Sequence, residues 1–480
     1  MPTENVHGDS RLSLWLRVRE YAVPASMIET ATARRSAGDW AGACAAAGID
    51  VDLDLRFLAR SRGHDLAARI RADLRHLAPD LLRWHMPRIA PDGLLRPGLT
   101  VSLARYDTTA PGEPHAARPA DPERPVHLVA RTPPAWADGG QRISLALWDG
   151  SRSGHGTWGD PRRGLRPDRR FRLDLHRHLW DVRRTDELRV RSGADRPPAE
   201  GLPAPDAELL AVVPDGHRCA VGRWAAEAGI LLRAEGRTAG GVAVRLGARH
   251  RLVLDLASDG PGPPVARIGA APADGSASAL PILPDAAVWT LPDLDLIRSG
   301  SIEAGRLHPL VASALVPDRG PAGPAGATDA DADRAGQPRL VECRGARHRI
   351  GLVDGVLAAL DHDPAEIRRE ELLSALTGTP LPCLQAIDAA HRRPDCLTGV
   401  RERLDHGDIA GALAVVEGLL GPDALLRAGA LRDELEAAAL RRLTYGLFRA
   451  GLAGPGPGRM HPRASRPREH RLHPRQAHAH

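Results

Sequence analysis

Asp174-Leu175-His176-Arg177-His178 places three metal-ligating side chains at alternate positions. On an extended strand, residues two apart face the same way. Asp174, His176 and His178 would then line one side, enough to hold a zinc ion and leave one coordination position open. A divalent metal at this trio is the one cofactor the sequence suggests. The surroundings oppose it, because eleven Arg against six acids between Asp160 and Arg191 make a cationic neighbourhood. An exposed polar face, with Leu173, Leu175 and Leu179 packed on the other side, accounts for the same pattern.

That cationic stretch has its own chemistry. Guanidinium groups bind phosphate in a bidentate manner, and Arg162, Arg163, Arg169, Arg170 and Arg172 carry enough surplus charge to follow a nucleic-acid backbone. Single-strand binding adds aromatic platforms, for which Trp158, Phe171 and Trp180 are the nearby candidates. Solvated faces and internal ion pairs are the plainer use of such a run.

Other patterns fall short of a working set. Gly154-His155-Gly156-Thr157-Trp158-Gly159 matches the dinucleotide-binding spacing, but Asp160-Pro161-Arg162-Arg163-Gly164 cannot open the helix that would receive a pyrophosphate. Asp50, Asp52 and Asp54, and again Asp329, Asp331 and Asp333, alternate without the Gly and Glu of a calcium loop. The first set reads as a strand with Val51, Leu53 and Leu55 on its buried face, the second as linker. His362-Asp363 and Leu404-Asp405-His406 lie in a helical region, and the pairs resemble the His-Asp pair of HD-type metal-dependent phosphohydrolases. That resemblance implies a helical metal site. Here His348 falls on an expected hairpin instead, and Asp363 is placed to cap a helix.

The five cysteines (Cys44, Cys219, Cys343, Cys383, Cys396) are scattered, odd in number and without a CxxC pair, so they read as buried small hydrophobes in a reducing compartment. No GxSxG or HExxH occurs. All 65 basic residues are Arg, and the missing lysine excludes P-loop NTPases, protein kinases and pyridoxal-phosphate enzymes of the usual kind. A very GC-rich coding bias explains that absence.

The elements that must position these residues follow from periodicity. The pattern predicts a multidomain α+β protein, with helical N- and C-terminal regions flanking mostly β middle domains. Residues 1–106 read as a strand plus helical domain, with the strand over 11–23 and an amphipathic helix over 64–85 that Pro79 breaks or restarts. Gly38-Asp39 forms a helix corner with Asp39 as cap. A linker over 107–125 precedes a β-rich, Arg-rich region (126–192) with strands at 126–130 and 143–148. A second linker (193–206) leads to a mostly β domain (207–316) interrupted by a helix at 223–233.

The third linker, 317–338, has almost no apolar side chain larger than Ala. Residues 339–450 then read as a hairpin turning near Asp354-Gly355, followed by helices with apolar stripes Ile409, Leu413, Val416, Leu420 and Leu431, Leu435, Leu443, Leu447. Residues 451–480 form a disordered Pro/Arg/His tail. The corner Gly38-Asp39-Trp40-Ala41-Gly42-Ala43 echoes Gly407-Asp408-Ile409-Ala410-Gly411-Ala412, and resembles the corner of tetratricopeptide-like hairpins without their repeat.

With a polar N-terminus, no long apolar run and a formal charge of only +5, a cytoplasmic location off the membrane is expected. The expected function is a non-enzymatic protein-interaction or scaffold protein with a protein partner still to be identified. A metal-dependent hydrolase using the Asp-x-His-x-His strand, and an Arg-rich nucleic-acid-binding protein, are the alternatives.

Overall fold

The computed structural model describes residues 5–107, 125–150, 166–195, 213–317 and 339–453, with short breaks inside the last two stretches. The chain is α+β, with helices at both ends and four small sheets mostly between them. Among the described residues, no helix is long and apolar enough to cross a membrane.

The first surprise is at the start. Residues expected as a strand form helix α1 (Asn5–Arg17), which runs into a single wide turn at Val18–Ala22. Leu12, Trp15 and Leu16 satisfy helical spacing as well as the period of two, and they pack beside Val18, Ala22, Ile28 and Trp84. Helices α2 (Ala25–Ser36) and α3 (Trp40–Ala46) follow.

The expected long helix is two: α5 (His64–His76), preceded by α4 (Leu55–Arg62), stops at Leu77, and Pro79 restarts the chain as α6 (Pro79–His85). Proline at a first helical position loses no bond, because that N–H has no intrahelical partner. Leu66, Ile70 and Leu74 of α5 are buried together with Leu81 and Leu82 of α6. Full burial of each such leucine contributes about 1.5–3 kcal/mol.

These helices cover a four-stranded sheet ordered β1 (Ile49–Val51), β6 (Ile143–Trp148), β5 (Val126–Arg131), β4 (Thr100–Tyr106). Between α6 and β4, β2 (Arg88–Ile89) pairs with β3 (Leu94–Leu95). In the larger sheet β1 runs parallel to β6, with Ile49 opposite Ile143, and the remaining pairs are antiparallel. Strands on both sides of the 107–125 linker thus share one core. The acidic alternation is not a solvated strand face: β1 ends at Val51, and Asp54 caps α4 by accepting from the N–H groups of Arg56 and Phe57.

A second unit packs α8 (Val221–Ala234), which follows the short α7 (Leu188–Ser192), on an antiparallel sheet of β7 (Gly240–Arg245), β8 (Arg251–Ala257) and β9 (Val265–Ala270). Short helices α9 (Asp285–Val288), α10 (Pro292–Arg298) and α11 (Pro309–Leu315) return the chain to the first core. The C-terminal unit is a meander of β10 (Arg339–Cys343), β11 (Ala346–Val353) and β12 (Val356–Ala359), covered by helices. These are α12 (Pro364–Thr377), α13 (Pro382–Arg392), α14 (Leu397–His406), α15 (Ile409–Leu420) and α16 (Ala430–Ala450).

Two of the expected stripes shift. On α15, Ala412 rather than Leu413 is buried, and on α16 Leu443 and Leu447 face outward while Ala438 and Phe448 point in. The linkers at 107–125, 193–206 and 317–338, and the tail at 451–480, fall mostly outside the described residues.

The two echoing corners are one motif used twice. Asp39 accepts from the Gly42 N–H (2.8 Å) and pairs with Arg34 (3.0 Å); Asp408 accepts from Gly411 (3.0 Å) and pairs with Arg403 (2.7 Å). The second corner also carries the contact between the chain's two ends. Arg83, buried on α6, donates Nε to the Ala22 carbonyl (2.9 Å), Nη1 to Gln141 (2.6 Å) and Nη2 to His406 (2.8 Å). Gly407 lies against Gly140 so closely that a Cβ would strike the Gly140 carbonyl.

Replacing Arg83 by Met removes the donor from three inward carbonyls, each worth about 1–3 kcal/mol when left bare. The expected loss is several kcal/mol in chemical denaturation, with faster proteolysis of residues 397–450. Gly407→Ala should give the same proteolytic pattern through the collision alone, and an unchanged pattern in both variants would refute this account of the docking.

Burial drives His85 and His406 down to about 3, with nearby His308 and Arg88 charges adding to the effect on His85 and Arg88, Arg83 and Arg17 on His406; burial and His176 push His178 well below its ordinary value. All three are neutral in the fold but titrate near pH 6.5 when unfolded. The unfolded chain therefore binds more protons below that pH. Stability should fall as pH drops from about 6.5 toward 3, by up to ~1.4 kcal/mol per pH unit for each histidine. A melting temperature that stays flat between pH 7 and pH 5 would contradict this.

Candidate metal centre

The segment expected to carry the metal is not a strand. Tight turns (Leu175 N–H to Arg172 O, His176 N–H to Leu173 O) lead into a 3-10 turn at Arg177–Leu179, so alternate residues do not share a face. Asp174 is gripped by Arg172 through Nε (2.9 Å) and Nη2 (2.8 Å). His176 turns Nε2 to Glu227 at 3.2 Å, and the buried His178 has its ring centre 5.7 Å from that of His176.

The arginines of this segment are likewise engaged within the chain. Arg169 donates to the Leu280 carbonyl (2.8 Å), Arg170 pairs with Asp285 (2.7 Å), and Arg172 reaches Glu235 (2.8 Å) as well as Asp174. Arg162, Arg163 and the glycine pattern at 154–159 lie outside the described residues. Arg191 pairs with Glu227. Burial alone would raise the Glu227 carboxyl, but the close approach of His176 and the hydrogen bonds from Arg191 outweigh it and hold Glu227 at about 2.

A hydroxyl–imidazole contact that sequence reasoning missed joins Ser102 Oγ to His127 Nδ1 at 2.9 Å beside a second cavity. Ser102 is fully buried, and Asp174, whose charge reaches the imidazole, is committed to Arg172. The contact lacks the free acid and exposed nucleophile of a hydrolytic triad.

Among the described residues, the one grouping of three metal-ligating side chains is Cys343, His362 and Cys383, whose ligand atoms all lie within 4.8 Å of one another. Tetrahedral zinc with sulfur at 2.3 Å and nitrogen at 2.0–2.1 Å holds ligands about 3.5–3.8 Å apart, so closure by roughly 1 Å suffices. Each ligand is delivered by a different device. Cys343 ends β10, and the chain reverses at Gly345, whose φ of +78° suits glycine. His362 sits in the short link between β12 and α12. That link is held on one side by Arg349, which donates from N and Nη2 to Asp361 (both 2.7 Å), and on the other by Asp363, which caps α12 through the Ala365 N–H (2.8 Å). Cys383 lies in the first turn of α13, where the helix dipole favours a thiolate.

The environment suits a cation of the zinc type. His362 Nε2 is closed off from solvent and has no hydrogen-bond partner, while Nδ1 faces Glu366 Oε2 at 3.6 Å. A carboxylate behind a ligating imidazole is the usual outer-shell arrangement. Burial, and then the neighbouring Cys343, push the Cys383 thiol up to about 11, so its proton stays on until a cation displaces it. The His348 ring lies parallel to that of His362, 4.2 Å away, with its own Nδ1 enclosed and unpartnered.

The HD-like pairs separate in space by role. His362 joins two cysteines, Asp363 is a cap, Asp405 pairs with Arg441 (3.1 Å), and the His406 carbonyl serves Arg83. The expectation that Cys343 and Cys383 are buried and free holds, but it missed that the fold sets them side by side. Nothing in their spacing announces this.

If Arg172 serves the fold, Arg172→Gln should cost about 3–5 kcal/mol in urea denaturation, because it leaves Asp174 enclosed without its cation. A change below about 0.5 kcal/mol would place Arg172 with ordinary surface residues instead.

Compared with protein-family models, with curated proteins and with solved structures, the chain finds no match in any of the three.

Proposed function

We propose that this chain is a non-enzymatic interaction protein whose C-terminal unit is pinned by a structural metal ion, with zinc as the best fit, held by Cys343, His362 and Cys383. The observation that carries the reading is enclosure. Cys343 is 0% and Cys383 1% exposed, and the His362 side chain 4%. A catalytic metal keeps a position that substrate can reach, whereas structural sites are closed and rich in sulfur. The enclosed, unpartnered His348 Nδ1 is the natural fourth ligand once its ring turns. A reducing, cytoplasmic setting would keep both thiols available to the metal.

The helices of the same unit favour a protein partner. Leu372, Leu373 and Leu376 on α12, and Leu440, Leu443 and Leu447 on α16, face outward, with Leu376 85% and Leu443 67% exposed. Apolar patches of this kind mark contact surfaces more often than solvent faces.

The test is metal analysis of protein purified without an affinity tag. Stoichiometric zinc is expected, falling to background in Cys343→Ser and Cys383→Ser, and cobalt reconstitution should give a thiolate-to-metal absorption that both variants lose. The cysteine variants separate this site from adventitious binding by the histidines of the C-terminal tail. Metal-free protein with two reactive thiols, or a Cys343–Cys383 disulfide, would overturn the reading.

A further inference from the structure

An apolar cavity lies far from the Cys343, His362 and Cys383 cluster in sequence, between the N-terminal helix and the middle of the chain. It encloses about 470 Å³, within the range of roughly 300–1,000 Å³ for small-molecule sites. Three aromatic side chains from separate segments line it: Trp15 from α1, Phe171 from the arginine segment and Trp289 just after α9. Two of them are held in place. Trp15 packs on Trp84 with ring centres 5.2 Å apart, and Trp289 receives the edge of His217 at 5.0 Å.

The polar groups on the wall carry one sign of charge. Asp285 is the lone acid among the lining residues, and Arg170 neutralises it. Arg172, also on the wall, is matched by Asp174 and Glu235. Arg11, Arg88 and Arg96 remain: Arg96 is exposed to solvent, Arg11 feels the charge of Asp295 without bonding to it, and Arg88 has no acid beside it among the described residues. Arg88 is fastened only to carbonyls, Nη1 to Gly93 (2.7 Å) and Nη2 to Arg83 (2.8 Å), while its Nε has no partner. Arg11 Nη1 and His85 Nε2, from the same lining, are also enclosed and unpartnered. Enclosed cations are normally paired, since taking a lone charge from water is costly. Among the described residues Arg88 has no such partner, only carbonyls.

We propose that this cavity binds a small organic anion, with an aromatic or aliphatic body against Trp15, Phe171 and Trp289 and an anionic head toward Arg11 and Arg88. Carbonyl tethers on Arg88 fix the guanidinium without cancelling its charge, so the cation is oriented before the ligand arrives. The bidentate Arg170–Asp285 pair spans from the arginine segment to α9 and keeps opposite walls in register. Neutral molecules of the same shape gain the apolar contacts but leave the cations unpaired. The preference for charge is therefore the distinguishing property.

The experiment uses the full-length protein and two fluorescent probes of similar shape, anilinonaphthalene sulfonate and the uncharged N-phenyl-naphthylamine. The anion should bind saturably at a single site and at least about tenfold more tightly than the neutral probe. Arg88→Gln and Arg11→Gln should each weaken the anion about tenfold while leaving the neutral probe nearly unchanged. Because Arg88 also braces its loop, Ala286→Trp serves as an independent check. Ala286 is exposed at the cavity wall, so the indole should block both probes without lowering the melting temperature. Equal affinity for the two probes, indifference to both arginine substitutions, undiminished binding in Ala286→Trp, or no saturable binding would each refute the proposal.

Discussion

One buried guanidinium joins the two ends of this chain. Among the described residues Arg83 has no carboxylate partner, and it spends its hydrogen bonds on three carbonyls, from the wide turn after α1, from the loop before β6 and from the end of α14. Two of those carbonyls close helical segments, where the macrodipole leaves partial negative charge that a cation satisfies. Burial pulls Arg83 down to about 10, which still leaves it charged at neutral pH. Around this bond the surfaces must come close, and glycine permits it at Gly48, Gly140 and Gly407. A polar cluster extends the contact, with Tyr445 donating to Asp50 (2.5 Å), Arg449 bonding Asp52 (2.7 Å) and Arg142 also pairing with Asp50. The unit bearing Cys343, His362 and Cys383 is thereby seated on the first sheet.

A chain that has only arginine for positive charge builds its internal braces from it. Arg177 and Arg183 both clamp Asp73 and Asp181, Tyr106 donates to the same Asp73 (2.7 Å), and Arg191 holds Glu227 against His176. A planar fork with five donors can serve two acids at once, which an ammonium does less well. The dense arginine stretch is therefore mainly a set of struts between the first core and the second. Arg88, which finds no acid among the described residues, and Arg11, which only feels the charge of Asp295, sit at the apolar cavity, and the contrast is what gives that cavity its chemical character.

Local chemistry was readable directly. Asp39 and Asp363 as caps, Pro79 as a break or restart and strands near 126–130 and 143–148 depend on residues within a few positions of each other; the caps stand as expected, Pro79 restarts the helix, and the first strand runs one residue further, to Arg131. Misreadings arose where two periods fit the same residues. Over 11–23 the apolar side chains suit a strand and a helix alike, and packing against Trp84 and Leu296 favoured the helix. At Asp174 the alternation was real, but turn hydrogen bonds claimed the backbone, Asp174 was taken by Arg172 and His176 turned to Glu227.

By itself, then, the sequence determined the α+β character, the corner chemistry, the reliance on arginine rather than lysine in its ion pairs and the burial of Cys343 and Cys383, because each follows from residue type and near neighbours. Tertiary structure alone decided that these two cysteines meet His362, that Arg83 closes on His406 and that Arg88, held only by carbonyls, lines an apolar cavity. Residues about twenty positions apart come together only when a strand end, a capped loop and a helix start converge, and no local period records that convergence.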